Sequence, residues 1–446
     1  MVARPPEPRP AEPHPRELEG RIHAVGSELA AAFPSPLRHP VGSLDAKAMD
    51  LAADDDELRA ALFRFVDVVP ACQGVDDLAK HLSAFLEEVG DRSAPVGAAV
   101  AMAGSRPGRI ALGAAAAAGV RHMAHRFIVG EDPRAALPVL ERLHRRGILA
   151  SVDLLGEATV SAAEADLYAA RCATALDELA AAHARWPGAP EANLSVKVSA
   201  LTPVLRTAAP ERGERDAAER LRPLLRRARD RGAHLHVDME SLDSREVVLE
   251  LVLALLAEPE FARGPSAGIV LQAYLTDSPG TLDRVLVWAR EVEREPPLVV
   301  RLVKGAYWDH EVVEARQHGW APPVFEVKAE CDRNFERLTQ RLLDARPAVR
   351  VAVASHNLRS VAHAIAYDEL AGCPHELELQ ILRGLGDDLG TALAARGQSV
   401  RAYCPVGDLV AGMAYLVRRL LENTANDSFL ADQARGVALE ELLAAP

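Results

Sequence analysis

Beyond residue 147 the chain alternates short β-branched runs with helix-length segments, and it does so eight times: at 149–155, 194–201, 234–240, 269–275, 299–305, 351–356, 378–382 and 400–405. Neighbouring parallel strands need a long crossover, which a helix supplies, so this alternation points to a parallel sheet. Eight such units in roughly 300 residues suit a closed (β/α)₈ barrel, with an open doubly wound sheet as the alternative. No GxGxxG follows any run, so the dinucleotide fingerprint is missing and the barrel is favoured.

The segment before the barrel has a different texture. Residues 1–40 are rich in Pro and Arg and read as an N-terminal extension, the first fifteen as a flexible tail. Residues 41–146 read as a helical arm. Leu58, Leu62, Phe65, Val66 and Val69 recur at helical spacing until Pro70, and Leu78, Leu82, Phe85, Leu86 and Val89 mark a second amphipathic helix. An alanine-rich stretch around 110–125 reads as a third helix, leaving 147–446 for the barrel.

Global properties narrow the function. The formal charge of −13 argues against a nucleic-acid partner. Even the apolar run 247–256 is broken by Glu250, short of the 18–20 residues or so that a transmembrane helix needs. The Pro-rich N-terminus lacks the apolar stretch of a secretory signal. Cys72, Cys172, Cys331, Cys373 and Cys404 form no CxxC pair, which fits a reducing cytoplasm and argues against a zinc site. The expectation is a cytoplasmic protein without a metal.

Alternation within the runs carries the first functional signal. Ser195, Lys197 and Ser199 oppose Val196 and Val198; His236, Asp238 and Glu240 oppose Leu235, Val237 and Met239; Gln272 and Tyr274 oppose Ile269, Leu271 and Ala273. Arg401 and Tyr403 share a face in the last run. The outer face of a barrel packs on helices and must be apolar, so the polar set points inward. Catalytic groups in this fold sit at the C-terminal strand ends. Lys197, Asp238, Gln272, Arg301, His356 and Tyr403 therefore outline a mouth for a polar ligand; the competing reading is a structural ion-pair network. His234 and His236 suggest a metal, but no third ligand has a clear place.

The last helical pattern carries the second signal. Leu409, Met413, Leu416 and Leu420 form one stripe, while Tyr415, Arg418, Arg419 and Glu422 fall within about 100° on the other side. Paired guanidinium forks suit a carboxylate or a phosphate. An exposed Arg–Glu pair of little energetic value is the equal alternative.

RLVKGAYWDHE at 301–311 and YLVRRLLENTANDSF at 415–429, with SVKVSAL, VLQAYL, SHN and AYCPVG, resemble the proline dehydrogenase barrel of the bifunctional proline utilization A flavoenzymes. DAKAMDLA and ALFRFVDVVPA resemble that family's helical N-terminal arm, so the likeness spans roughly residues 45–446. It implies a distorted (β/α)₈ TIM-type barrel, preceded by an α-helical arm, that binds FAD and oxidises L-proline to Δ1-pyrroline-5-carboxylate by hydride transfer to flavin N5. By motif position, Arg418 and Arg419 would clamp the proline carboxylate with Lys197 adding charge. Tyr307, Leu382, Tyr403 and Tyr415 would contact the substrate, and Asp238 and Glu422 would hold the basic cluster. Gln272, Arg301, Val303, Lys304, Gly305, Ala306, Trp308, Lys328, His356, Asn357 and Phe429 match cofactor positions, to which Asp238 and Glu422 also contribute. Relatives pass electrons to a membrane quinone, which implies peripheral contact with the inner membrane face, and the second step implies a separate glutamate semialdehyde (pyrroline-5-carboxylate) dehydrogenase.

Three departures stand out. FEVK at 325–328 carries Val327 where many relatives have Arg. The chain ends near where bifunctional relatives enter a linker to an aldehyde dehydrogenase domain, so that second activity is not expected within it. The N-terminus does not resemble the DNA-binding domain of some relatives. Two other functions compete: a Schiff-base or aldol-type barrel enzyme using Lys197 or Lys304, and a non-catalytic docking module for a partner dehydrogenase.

Overall fold

In a computed structural model the eight expected strands form a closed parallel barrel in sequence order. The structure describes residues 13–33, 55–90, 93–156, 158–372, 377–408, 412 and 437–446. The strands are β1 (Ile148–Leu154), β2 (Asn193–Lys197), β3 (His234–Asp238), β4 (Ser266–Gln272), β5 (Leu298–Val303), β6 (Val349–Ala354), β7 (Leu377–Leu382) and β8 (Ser399–Val406).

The alternation works as the side-chain period of two requires. Leu194, Val196, Leu235 and Val237 are fully buried, as are Ile269, Leu271, Val300 and Leu302 in the next two strands. This apolar set faces the helices, as in any barrel of this type. The opposite set reaches across the lumen: Arg301 of β5 donates to Ser195 of β2 at 3.3 Å and to Asp238 of β3 at 2.7 Å. Register fixes this arrangement, pairing Ser195 with His236, Lys197 with Asp238, and Leu382 with Tyr403.

Five of the expected strands, β2 to β6, run two or more residues too long at their C-terminal ends. After Lys197 the chain enters a 3-10 turn (Val198–Ala200), which takes Ser199 out of the alternation, and Glu240 lies beyond the end of β3. After Gln272 the chain also turns, so Tyr274 leaves the polar face and packs with Leu275, Val312 and Val324.

The chain divides into two compact units, one drawn from residues 1–33, 137–403 and 437–446, the other from 34–136 and 404–436. These limits differ from the sequence boundaries at 40 and 146. Within the Pro-rich N-terminal region, a helix (Pro15–Ala31) buries Ile22, Val25 and Leu29 and packs on helix Leu358–Leu370. Arg359, buried on that second helix, donates to Glu19 at 2.6 Å and to the Leu443 carbonyl at 2.6 Å, tying both ends of the sequence to the barrel unit. The Pro/Arg composition concealed an amphipathic stripe.

The other unit contains helices Asp56–Val68, Val75–Glu87 and Arg106–Phe127, in accord with the sequence reading, and a fourth, Ala94–Ala103, that it did not anticipate. Helix Val75–Glu87 buries Leu78, Leu82 and Leu86 and packs on both Asp56–Val68 and Arg106–Phe127. No helix among the described residues is long and apolar enough to cross a membrane.

Candidate active site

Lys197, Asp238, Gln272, Val303 and Leu382 are the last residues of β2, β3, β4, β5 and β7. The inward parity of the strands thus delivers the expected side chains to one rim. Asp238 is the hub. It accepts from Arg301 Nη1 at 2.7 Å and from the Tyr403 hydroxyl at 2.6 Å, and lies 4.0 Å from Lys197 Nζ. The Arg301 guanidinium lies 5.4 Å from the centre of the Tyr403 ring, and its other arm reaches Ser151 and Ser195.

Sequence reasoning missed Asp153. This buried β1 carboxylate accepts directly from Lys197 Nζ. Its signal was present in ILASVDL, where Ser151 and Asp153 alternate with Ala150, Val152 and Leu154. Two carboxylates and two cations make the cluster formally neutral, as a buried set of charges must nearly be. Burial opposes charge on Lys197, but Asp153 and Asp238 outweigh it and hold the ammonium above its ordinary value. A Schiff-base nucleophile needs the free amine, so this environment disfavours that chemistry. Burial, reinforced by Asp153 and Asp238, raises Tyr403 well above the usual phenol value and keeps it a donor. Burial likewise raises Glu240 against the opposing hydrogen bond from Ser199.

Around β5 the expected residues divide. Lys304 Nζ pairs with Asp332, which also accepts from Lys328 Nζ at 3.1 Å. Two ammonium groups thus share one carboxylate, a second anion that sequence reasoning missed: it lies 28 residues beyond Lys304, one turn along the helix that Lys328 begins. Gly305 has φ of 140°, and a Cβ there would run into the Tyr274 ring, so packing requires this glycine whatever it binds. Ala306 and Tyr307 lead into helix Trp308–His318, where the 38% exposed Trp308 donates from Nε1 to the Phe325 carbonyl at 2.9 Å. Val327, 55% exposed, caps helix Lys328–Asp344.

After β6, His356 Nε2 accepts from the Leu382 N–H at 2.9 Å. Asn357 is the N-cap of helix Leu358–Leu370, with Oδ1 accepting from Ser360 N–H at 2.9 Å, which already explains an asparagine there. Gln272 donates to the Glu240 carbonyl at 3.3 Å. Tyr415, Arg418, Arg419, Glu422 and Phe429 lie outside the described residues.

The rim therefore consists of a neutral Asp153–Lys197–Asp238–Arg301–Tyr403 network beside a cationic Lys304–Asp332–Lys328 corner. The proline dehydrogenase family model matches residues 136–432, which takes in all of these groups. The chain belongs to the proline dehydrogenase family. A second match, to the proline utilization A N-terminal domain, covers residues 19–127. The bifunctional protein PutA of Escherichia coli (strain K12) is 34% identical over 341 residues, 73% of this chain and 25% of that protein. The chain thus spans about a quarter of such bifunctional relatives. The proline dehydrogenase of Deinococcus radiodurans is 30% identical over 317 residues, 69% of this chain and 89% of that protein. Among solved structures, proline utilization A from Bdellovibrio bacteriovorus inactivated by N-propargylglycine superposes with a TM-score of 0.83 at 34% identity, over 96% of this chain and 43% of that one.

Proposed function

We propose that this chain oxidises L-proline to Δ1-pyrroline-5-carboxylate with FAD, the first step of proline catabolism. The observation that carries this reading is the convergence of Lys197, Asp238, Arg301 and Tyr403 at the C-terminal rim, within a proline dehydrogenase match.

The residues present fit a flavin dinucleotide. Lys304 and Lys328 share one carboxylate, so this corner retains a positive charge suited to a diphosphate. Among the described residues Arg301 keeps its buried Nε–H without a hydrogen-bond partner, and Trp308 leaves part of its indole exposed. Gln272, Arg301, Val303, Lys304, Gly305, Ala306, Trp308, Lys328 and His356 would hold the cofactor, with Asn357 contributing from its capping position, and with Asp238, Glu422 and Phe429. A flavin bound there supplies the hydride acceptor.

The chain's own residues do the remaining work. Arg418 and Arg419 fix the substrate carboxylate as a bidentate anchor, which sets the carbon presented for oxidation. Tyr307, Leu382, Tyr403 and Tyr415 pack on the ring and exclude water. The Lys197 ammonium adds positive potential, and Asp238 and Glu422 hold the cations in place. The surplus positive charge of the Lys304–Lys328 corner and of the two arginines also favours loss of a proton from the substrate amine, since like charge disfavours the ammonium form. The electron acceptor is a membrane quinone reached by peripheral contact from the cytoplasmic side, and a pyrroline-5-carboxylate dehydrogenase activity consumes the product.

Product trapping tests this reading. Protein reconstituted with FAD and given proline and an artificial acceptor forms a cyclic imine that condenses with o-aminobenzaldehyde. Absence of imine from flavin-loaded protein contradicts the proposal.

A further inference from the structure

The corner between helices Asp56–Val68 and Val75–Glu87 brings three different donors together. Cys72 follows a 3-10 turn (Val69–Ala71), and its thiol donates to the Val68 carbonyl at 3.4 Å. Gly74, at φ of 94°, lets the chain reverse into the next helix. Asp77 and His81 lie one helical turn apart on that helix and share a face. Asp77 Oδ2 accepts from the Gln73 N–H at 3.0 Å, which folds the turn so that its carboxylate meets the thiol. The His81 Nε2 to Asp77 Oδ1 distance is 3.9 Å, and one ligand atom from each of Cys72, Asp77 and His81 lies within 4.8 Å of the others.

The adjacent carboxylate behaves differently. Asp76 is engaged by Lys80 at 2.8 Å and by Arg109 at 3.0 Å. Asp77, among the described residues, is paired with no lysine or arginine. Its charge faces a thiol and an imidazole instead. Thiolate, imidazole and carboxylate are the donors that zinc takes, and three protein ligands plus one open position is a recognised zinc arrangement. Tetrahedral zinc bonds of about 2.0–2.3 Å place donors about 3.3–3.6 Å apart. The His81–Asp77 separation of 3.9 Å exceeds that spacing by a few tenths of an ångström, and the widest of the three by no more than about 1.5 Å.

We propose that Cys72, Asp77 and His81 form a binding site for a zinc-class divalent cation, with its fourth position open to water. The pattern C-x₄-D-x₃-H escapes a search for paired cysteines, which is why sequence reasoning expected no metal. Binding would tie the start of helix Val75–Glu87 to the end of helix Asp56–Val68. The site is independent of the flavin reading, because none of its residues lies on the barrel strands.

The test is cobalt(II) titration of the untagged, flavin-loaded chain under reducing conditions, followed by zinc displacement. The expected result is one cobalt per chain with the visible bands of tetrahedral cobalt and a near-ultraviolet sulfur-to-cobalt band, all abolished by zinc. Cys72→Ser should remove the sulfur-to-cobalt band, and His81→Gln should weaken binding at least about tenfold. Both variants should retain wild-type proline oxidation. A sulfur-free octahedral spectrum, no saturable binding, or Cys72→Ser and His81→Gln titrations that match wild type would overturn the site.

Discussion

The two ends of the barrel lumen are both polar, yet they are built differently. At the N-terminal floor, a cavity of about 340 Å³ is lined by His234, His236, Arg350, Glu378 and Arg401 among others. There His234 Nε2 and His236 Nδ1 are 3.1 Å apart, and Arg401 grips Glu378 with two hydrogen bonds of 2.9 and 2.8 Å. At the C-terminal rim, charges from β1, β2, β3 and β5 meet the Tyr403 hydroxyl from β8. Arg401 and Tyr403 are two residues apart on one strand, but one serves the floor and the other the rim.

Titration alone would not tell the ends apart. Burial drives His234 and His236 well below their ordinary values, with nearby arginines adding to the effect. Burial pushes Glu378 up, but Arg401 overrides it and pulls the carboxyl down to about 2. At the rim Lys197 and Tyr403 are both shifted upward. The difference lies in how the charges are satisfied. The floor pair joins adjacent strands and is complete in itself, whereas the rim gathers several strand ends beside a corner with surplus positive charge. Perturbed groups mark buried charge; convergence at the strand ends marks the candidate chemistry.

Several substitutions would break or sharpen this contrast. The largest effect is expected from Arg418→Met and Arg419→Met. Losing a charged hydrogen-bond pair in a closed site costs about 2–5 kcal/mol, so KM for proline should rise about 30-fold or more, with FAD affinity little changed. Unaltered steady-state kinetics in both variants would remove the clamp. Asp238→Asn should come next. It unbalances the rim network and shifts Arg301 and Tyr403, lowering kcat/KM about 100-fold, and wild-type kinetics would show that the network is only structural. Glu378→Gln should do the reverse. Chemical denaturation should show a loss of about 3 kcal/mol at neutral pH, while KM for proline stays the same. A raised KM there would erase the distinction between the two ends.

The smallest and most graded effect is the pH dependence of stability. A histidine held below its unfolded value stabilises the fold above that value, so His234 and His236 should cost stability as pH falls below about 6.5. Glu378, depressed in the folded state, contributes stability that is present above about 4.5 and lost as pH falls towards about 2. Urea midpoints measured across this range should decline in both segments. Glu378→Gln should reduce the decline mainly in the lower one, and a wild-type profile in that variant would contradict the Arg401 pairing.

The strands were legible because β-branched runs and their two-residue period are local properties. The partners of the charges were not. Asp153 lies 44 residues from Lys197, and Asp332 lies 28 residues from Lys304, on elements that only the closed barrel brings together. The site looked strongly basic in sequence because Lys197 and Lys304 were visible and these two anions were not. Helix Pro15–Ala31 was hidden for a different reason: Pro and Arg dominated the composition, while Ile22, Val25 and Leu29 supplied a buried stripe.

Anaerobic titration of the flavin-loaded chain with L-proline, followed by flavin absorbance, tests the central claim most directly. Stoichiometric bleaching by proline, with Δ1-pyrroline-5-carboxylate as product, is the result expected. A flavin spectrum unchanged at saturating proline, or a chain that cannot be loaded with FAD, would contradict it.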